Sequence, residues 1–156
     1  MKTMENDSVI IEMATEPVIE NGVIIIPGKV KSAAVKIAGR VIPLRYGMRV
    51  QEQVEEELEM DFYELQTKLD KGKRNTKQTI KIIRMMGNEG LRKEGKPQDL
   101  TDEWLEDNMN PAETIQYKMA ALAATVAGWK METDNSDEED QDLVLNELRK
   151  KNENTD

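Results

Sequence analysis

The chain contains no cysteine and no histidine in 156 residues. Without cysteine there is no disulfide framework and no thiolate chemistry, and an intracellular setting is the default expectation. Without histidine the commonest general base and the commonest metal ligand are both missing. Long apolar runs are lacking too. None approaches the roughly 20 residues needed to cross a bilayer, and the N-terminus has no basic-then-apolar secretion pattern. No P-loop, GxGxxG, HExxH, GxSxG or CxxC occurs. No catalytic, cofactor-binding or metal-ligating residue is therefore expected, and the chain reads as a soluble cytoplasmic protein.

Charge is abundant but unevenly placed. Charged residues make up 34% of the chain and the net charge is −9. Residues 132–156 hold ten acids and three bases, a balance of −7, which leaves −2 for residues 1–131. The acidity belongs mainly to the tail and says little about what the body binds. Within the tail, Asp137, Glu138, Glu139 and Asp140 lack the glycine and the alternating spacing of a calcium loop. They read as a solvated linker. The tail as a whole is expected to be disordered. It carries one short amphipathic patch, Leu143, Val144, Leu145 and Leu148, which is too short to be stable as an isolated helix and could order against a partner.

The body is organised around residues 35–69. Val35 and Ile37 precede the pair Ala38-Gly39, and Val41, Ile42, Leu44 and Tyr46 follow it, a hairpin signal. Pro43 lacks an amide donor, so its strand belongs at a sheet edge. From Met48 the period changes: Val50, Val54 and Leu58 recur every four residues, as on a helix with one narrow apolar stripe. Asp61 and Glu64 can then cap a second helix carrying Phe62, Leu65 and Leu69, with Gly72 as its stop.

On either side of this stretch the pattern is simpler. Residues 1–8 carry no period and are expected to be flexible. Val9, Ile10 and Ile11, and again residues 23–26, are β-branched runs bounded by turn signals, which predicts three or four strands in residues 9–46. Residues 12–21 are weakly patterned and could be a loop. Beyond Gly72, Asn75 or Thr76 can cap a helix with Ile80, Ile83 and Met86 on its apolar face, ending at Gly87 or Gly90 or extended by a turn through residues 91–95. Thr101 starts another helix, with Leu100 stapled against Leu105. Asn110, Pro111 and Glu113 start the last one. On that helix Ile115, Met119, Leu122, Val126 and Trp129 step by 4, 3, 4 and 3, among Ala120, Ala121, Ala123, Ala124 and Ala127. Alanine favours helix and lets a neighbouring backbone come close. The large stripe reads as core, or as an interface.

The expected fold is α+β: short antiparallel strands, with a hairpin around Ala38-Gly39, followed by a bundle of about five helices. Residues 9–131 form one domain and 132–156 a tail. Two features bear on partners. Lys71, Lys73, Arg74, Lys77, Lys81 and Arg84 form a basic run with no acid, a possible phosphate face. No aromatic interleaves with it and the neighbouring helix is strongly acidic, so a charge-complementary contact between helices is the preferred reading. Ten methionines serve either as gap fillers or as an adaptable apolar groove for a partner helix.

Residues 33–131, about two-thirds of the chain, resemble the tail assembly chaperones of long-tailed bacteriophages. The resemblance is carried by KIAGRVIPLRYG, the Glu-rich RVQEQVEEEL, the D-F-x-E-L helix start, the IIRMMG and LTDEWLE segments and the Ala-rich last helix. It implies a non-enzymatic role in virion morphogenesis in the host bacterial cytoplasm, with absence from the mature virion. Proteins of that family coat the helical tape measure protein, keep it soluble and help tail tube subunits polymerise around it. Many exist in short and long forms made by a translational frameshift, and this chain looks like the short form. Leu65, Leu69, Ile83, Met86, Met119, Leu122, Val126 and Trp129 are expected to build the core and, where in excess, a groove. The partner-binding candidates are Met86, Met119, Leu122, Val126, Trp129, Leu143, Leu145 and Leu148. A homo-oligomer is possible. The alternatives are a nucleic-acid-binding regulator using the basic run, which is the less favoured, and a structural tail or adaptor subunit.

Overall fold

The computed structural model describes residues 2–13, 18–20, 23–25, 30–70 and 75–133. Six strands precede five helices in an α+β arrangement. The strands are β1 (Lys2–Glu5), β2 (Val9–Met13), β3 (Val18–Glu20), β4 (Val23–Ile25), β5 (Val30–Ile37) and β6 (Arg40–Leu44). Four make an antiparallel sheet in the order β1-β2-β5-β6, and β3 with β4 makes a separate hairpin. Residues 1–8, expected to be flexible, thus contribute β1, which pairs with β2 from Lys2↔Met13 to Glu5↔Ile10. Its four residues are too few for a period to be read, and pairing with β2 supplies what local pattern does not. β3 likewise lies in the weakly patterned segment.

The β5–β6 hairpin turns at Ala38-Gly39, and both residues have positive φ, 51° and 73°. Two such residues between paired Ile37 and Arg40 are what the right-handed strand twist requires. The sheet is one-sided. Val9, Ile11, Ala33, Val35, Ile37, Ile42 and Leu44 alternate onto one face and are all buried. The other face carries half-exposed Ile10, Ala34, Lys36 and Pro43 and exposed Val41. There Lys36 Nζ donates to Glu5 Oε1 at 2.5 Å.

The helices are α1 (Met48–Leu58), α2 (Phe62–Asp70), α3 (Thr76–Lys93), α4 (Asp102–Asn108) and α5 (Thr114–Thr133). Their starts follow the caps read from sequence. Asp61 Oδ1 accepts from Glu64 N at 2.8 Å, Thr101 Oγ1 from Trp104 N at 3.1 Å, and Asn110 Oδ1 from Ala112 N at 3.1 Å. A short 3-10 turn at Pro111–Glu113 leads into α5. Val50 and Val54 are buried on α1 as their spacing requires. Leu100 and Leu105, the staple pair, are both buried.

The helices do not form a free-standing bundle, because the two longest pack on the sheet. α3 covers the outer edge of β6, where Arg45 N donates to Met86 O at 3.0 Å. This leaves the Pro43 strand at a sheet edge, as its missing donor demands, but an edge shielded by a helix. α3 also passes straight through Gly87 and Gly90, the two nearer of its expected ends, and stops at Lys93 before Gly95 with φ 71°. The reason is contact. A Cβ on Gly90 would lie 2.0 Å from Pro43 O, and one on Gly87 would lie 2.5 Å from Leu100 Cδ1. Asn88 then holds the following loop by two bonds, accepting from Leu100 N at 3.0 Å and donating to Leu100 O at 3.1 Å.

α5 crosses the buried face of the sheet over β5 and β2. It comes equally close at one point, for a Cβ on Gly128 would lie 2.2 Å from Tyr46 O. In both helices the obstacle is backbone, which cannot rotate away. Gly90→Ala and Gly128→Ala are each expected to destabilise the fold by about 1–3 kcal/mol despite alanine's better helix propensity. Urea midpoints at unchanged slope measure this.

Candidate docking face

α5 is apolar on both sides, and the two sides differ in size. Tyr117, Ala120, Ala121, Ala124 and Ala127 are buried, and Gly128 completes that side. At 100° per residue they fall on the half of the helix opposite Ile115, Met119, Leu122 and Val126. Ile115 is 68% exposed and Met119 46% exposed. Leu122 and Val126 are half-buried. The alanine side is buried, while the large stripe, expected as core or as an interface, is exposed at Ile115 and Met119 and packs against the core at Leu122. The cause is the spacing set at Gly128: where backbones approach this closely, only small side chains fit between them. Thr125, fully buried on the edge of the small side, bonds back to Ala121 O at 2.8 Å and so needs no outside partner for its hydroxyl.

The exposed stripe has a neighbour on the sheet. Met4, opposite Ile11 in register and so on the inner face of β1, remains 46% exposed. Asn6 Nδ2 donates to Gln116 Oε1 at 3.2 Å, tying the β1–β2 turn to the N-terminal part of α5. β1 is the terminal strand of that sheet.

The other candidates divide. Met86 is fully buried on the inner side of α3, and a residue with no surface cannot receive a partner. The side chain of Trp129 and the whole of Leu143, Leu145 and Leu148 lie outside the described residues, as do Lys71, Lys73, Arg74 and the tail from residue 134. Met85 and Met60 are core residues, whereas Met4, Met48 and Met119 are exposed. Gap filling thus holds for Met60, Met85 and Met86. Ile115 and Met4 were not among the site residues named from sequence. Ile115 belonged to the stripe already seen, while Met4 carried no signal before β1 was known.

Two bases of the run, Lys81 and Arg84, are engaged within the chain. Arg84 Nη2 bonds Glu57 Oε2 at 2.6 Å and Arg84 Nε bonds Asp102 Oδ1 at 2.6 Å. Lys81 Nζ reaches Asp102 Oδ2 at 2.8 Å. These pairs tie α3 to α1 and α4, the charge-complementary contact preferred from sequence. Only Lys77, of the described bases in the run, stands exposed. Burial works to raise the Asp102 carboxyl, but the hydrogen bonds from Lys81 and Arg84 outweigh it and hold the group below its ordinary value. On the loop after α3, a hydrogen bond from Arg40 lowers the Asp99 carboxyl, and the same guanidinium lies 5.7 Å from the Trp104 ring.

No protein-family model matches this chain, and no curated protein or solved structure is significantly similar to it. None of the described helices is long and apolar enough to cross a membrane.

Two measurements check these assignments. Met119→Ser should change stability by no more than about 0.5 kcal/mol, as for a surface residue, whereas Ala121→Leu should cost about 1–3 kcal/mol by overfilling the sheet-facing side. Asp102→Asn should cost about 1–2 kcal/mol at neutral pH, a range reduced for the partial exposure of the pairs. A depressed carboxyl contributes fully above its unfolded value near about 3.9 and loses its effect as pH falls through the folded value. The gap between wild type and Asp102→Asn should therefore close in acid, as followed by thermal melts from pH 7 downward.

Proposed function

We propose that this protein is a non-enzymatic chaperone of bacteriophage tail assembly that holds an apolar helical partner against the outward stripe of α5. The observation carrying the reading is the placement of Ile115 and Met119, 68% and 46% exposed on a helix whose other side is already packed on the sheet. A soluble chain that presents two large apolar side chains one helical turn apart offers a ridge of the kind that receives an amphipathic helix. Half-buried Leu122 and Val126 continue it toward the C-terminal end of α5. Methionine at its centre suits a seat that must accept varied apolar side chains, because the thioether chain is unbranched and adapts its shape.

The sequence resemblance supplies the biological setting: a tape measure protein as the helical client, a tail tube protein as the next partner, and the host bacterial cytoplasm as the place. Tape measure proteins are long helical chains with apolar faces, which need covering until the tube surrounds them. An acidic carrier keeps such a complex dispersed by mutual repulsion. No step of this role requires catalysis. The nucleic-acid reading gains no support from the ion pairs, since Lys81 and Arg84 already face Asp102 and Glu57.

Coexpression with a tape measure fragment tests the proposal. The fragment should be soluble with the wild-type chain and insoluble with Ile115→Glu/Met119→Glu, a variant expected to keep its helical spectrum because both sites are exposed. A fragment equally insoluble with and without the wild-type chain overturns the reading. Mass spectrometry of purified particles separates a chaperone, which should be missing from them, from a structural tail subunit, which should be present.

A further inference from the structure

We infer that β1 is a pairing edge for a second copy of this chain. Two β1 strands join antiparallel about a two-fold axis at Met4, so that two four-stranded sheets become one continuous sheet.

The two ends of the sheet are finished differently. The β6 end carries Pro43 and is bonded to α3 through Arg45 N and Met86 O. Both devices keep other strands away. The β1 end has neither. β1 is terminal in the order β1-β2-β5-β6, contains no proline, and pairs with β2 in one unbroken register. Among the described residues no strand pairs with its other side. An unprotected strand edge of this kind is a template for another strand.

The phase of β1 decides which groups it offers. Asn6 N donates to Val9 O at 3.1 Å, which turns the Asn6 backbone toward β2. Backbone groups alternate in direction along a strand, so those of Met4 also face β2, and those of Thr3 and Glu5 face away. Thr3 and Glu5 therefore each present an N–H and a C=O at the free edge.

Two constraints then choose the register. Residues directly opposite in an antiparallel pair share a face of the sheet. For the two buried faces to continue, an inward residue must stand opposite another inward one. A two-fold axis at Met4 meets this, with Met4 opposite Met4 of the second copy and Thr3 opposite Glu5. Every outward N–H and C=O of Thr3 and Glu5 then finds a partner. Moving the axis to Thr3 leaves the Glu5 groups without one inside the strand.

The side chains agree. Met4, 46% exposed, falls in the non-hydrogen-bonded pair, where opposite side chains come closest. On the outer face Glu5, paired with Lys36 at 2.5 Å, meets the Thr3 hydroxyl of the second copy and no like charge. Lys2 meets Asn6. A strand complementary to itself about one of its own residues is what an isologous contact needs, and this selects a second copy over an unrelated strand. Only the four residues of β1 take part on each side, against about 20–30 in a standard interface, so the dimer comes apart on dilution.

α5 packs on the buried face of the sheet, and joining the sheets puts both copies of α5 on the same side. Two seats for one long client follow, and that consequence alone rests on the chaperone reading. The pairing itself is tested with no client present, so the two can fail separately.

Sedimentation equilibrium of the full-length chain, from about 10 μM to about 1 mM, should show a monomer–dimer equilibrium. Thr3→Pro should raise its Kd about tenfold or more, by deleting one outward donor from each copy. Proline suits this position because β2 makes no use of that N–H, and unchanged hydrogen exchange at the Met4 amide shows β1 still in place. A wild type that stays monomeric throughout, or a dimer that Thr3→Pro leaves unchanged, overturns the proposal. The absence of cysteine gives an independent reading. Met4→Cys should form a disulfide-linked dimer under mild oxidation about tenfold faster than Thr3→Cys, because only at the axis does a residue face its own copy. Val41→Cys, at a site 53% exposed on the other face of the sheet, sets the background rate. A Met4→Cys rate no greater than either control overturns the pairing. A monomer whose Thr3 and Glu5 amides become protected only when a tape measure fragment is added also overturns it, and assigns the edge to a client strand.

Discussion

Two helices rest on the backbone of one short segment, and the remaining packing follows from that. Gly90 of α3 stands against Pro43 O and Gly128 of α5 against Tyr46 O, each with no room for a Cβ. Between these points Arg45 N donates to Met86 O, so the end of the last strand is bonded to a helix instead of another strand. A sheet edge left open would invite pairing with other chains. Here it is closed by α3. With α3 fixed, Arg84 and Lys81 fall within reach of Glu57 and Asp102, and α1 and α4 are drawn in by charge.

The same closeness decides what α5 does. Where α5 comes this near to a neighbouring backbone, its buried side is mainly alanine and glycine, with Tyr117, Lys118 and Thr125 also buried. Its larger residues must then go elsewhere. Ile115 and Met119 face outward for this reason, not because the chain lacks apolar surface to cover them. A helix with a small inner side and a large outer side is stable in place and still presents surface. That combination is suited to holding another chain.

Much of the local architecture was legible in residue order. The Ala38-Gly39 turn, the Pro43 edge strand, the Asp61, Thr101 and Asn110 caps and the Val50–Val54 stripe all depend on neighbours within a few positions. β1 was not legible, since four residues without alternation take their conformation from β2. The end of α3 was left open between Gly87, Gly90 and a further turn through residues 91–95, because a glycine that stops a helix and one that admits a neighbouring strand look the same in sequence. Met86, expected in the core or in a docking groove, is in the core. Periodicity shows which residues share a side of a helix but not what that side faces. Leu122 and Val126, set half-buried on the predicted stripe, lie between these outcomes.

The sequence by itself determined the α+β class, the order of most elements, the absence of thiol and imidazole chemistry, and the separation of a nearly neutral body from an acidic tail. These follow from composition and from interactions spanning one turn or one hairpin. Only the tertiary structure decided which side of α5 is inside. Both sides of that helix are apolar, so hydrophobicity cannot choose between them. The choice is steric, made where Gly128 meets the carbonyl of Tyr46, 82 positions earlier in the chain.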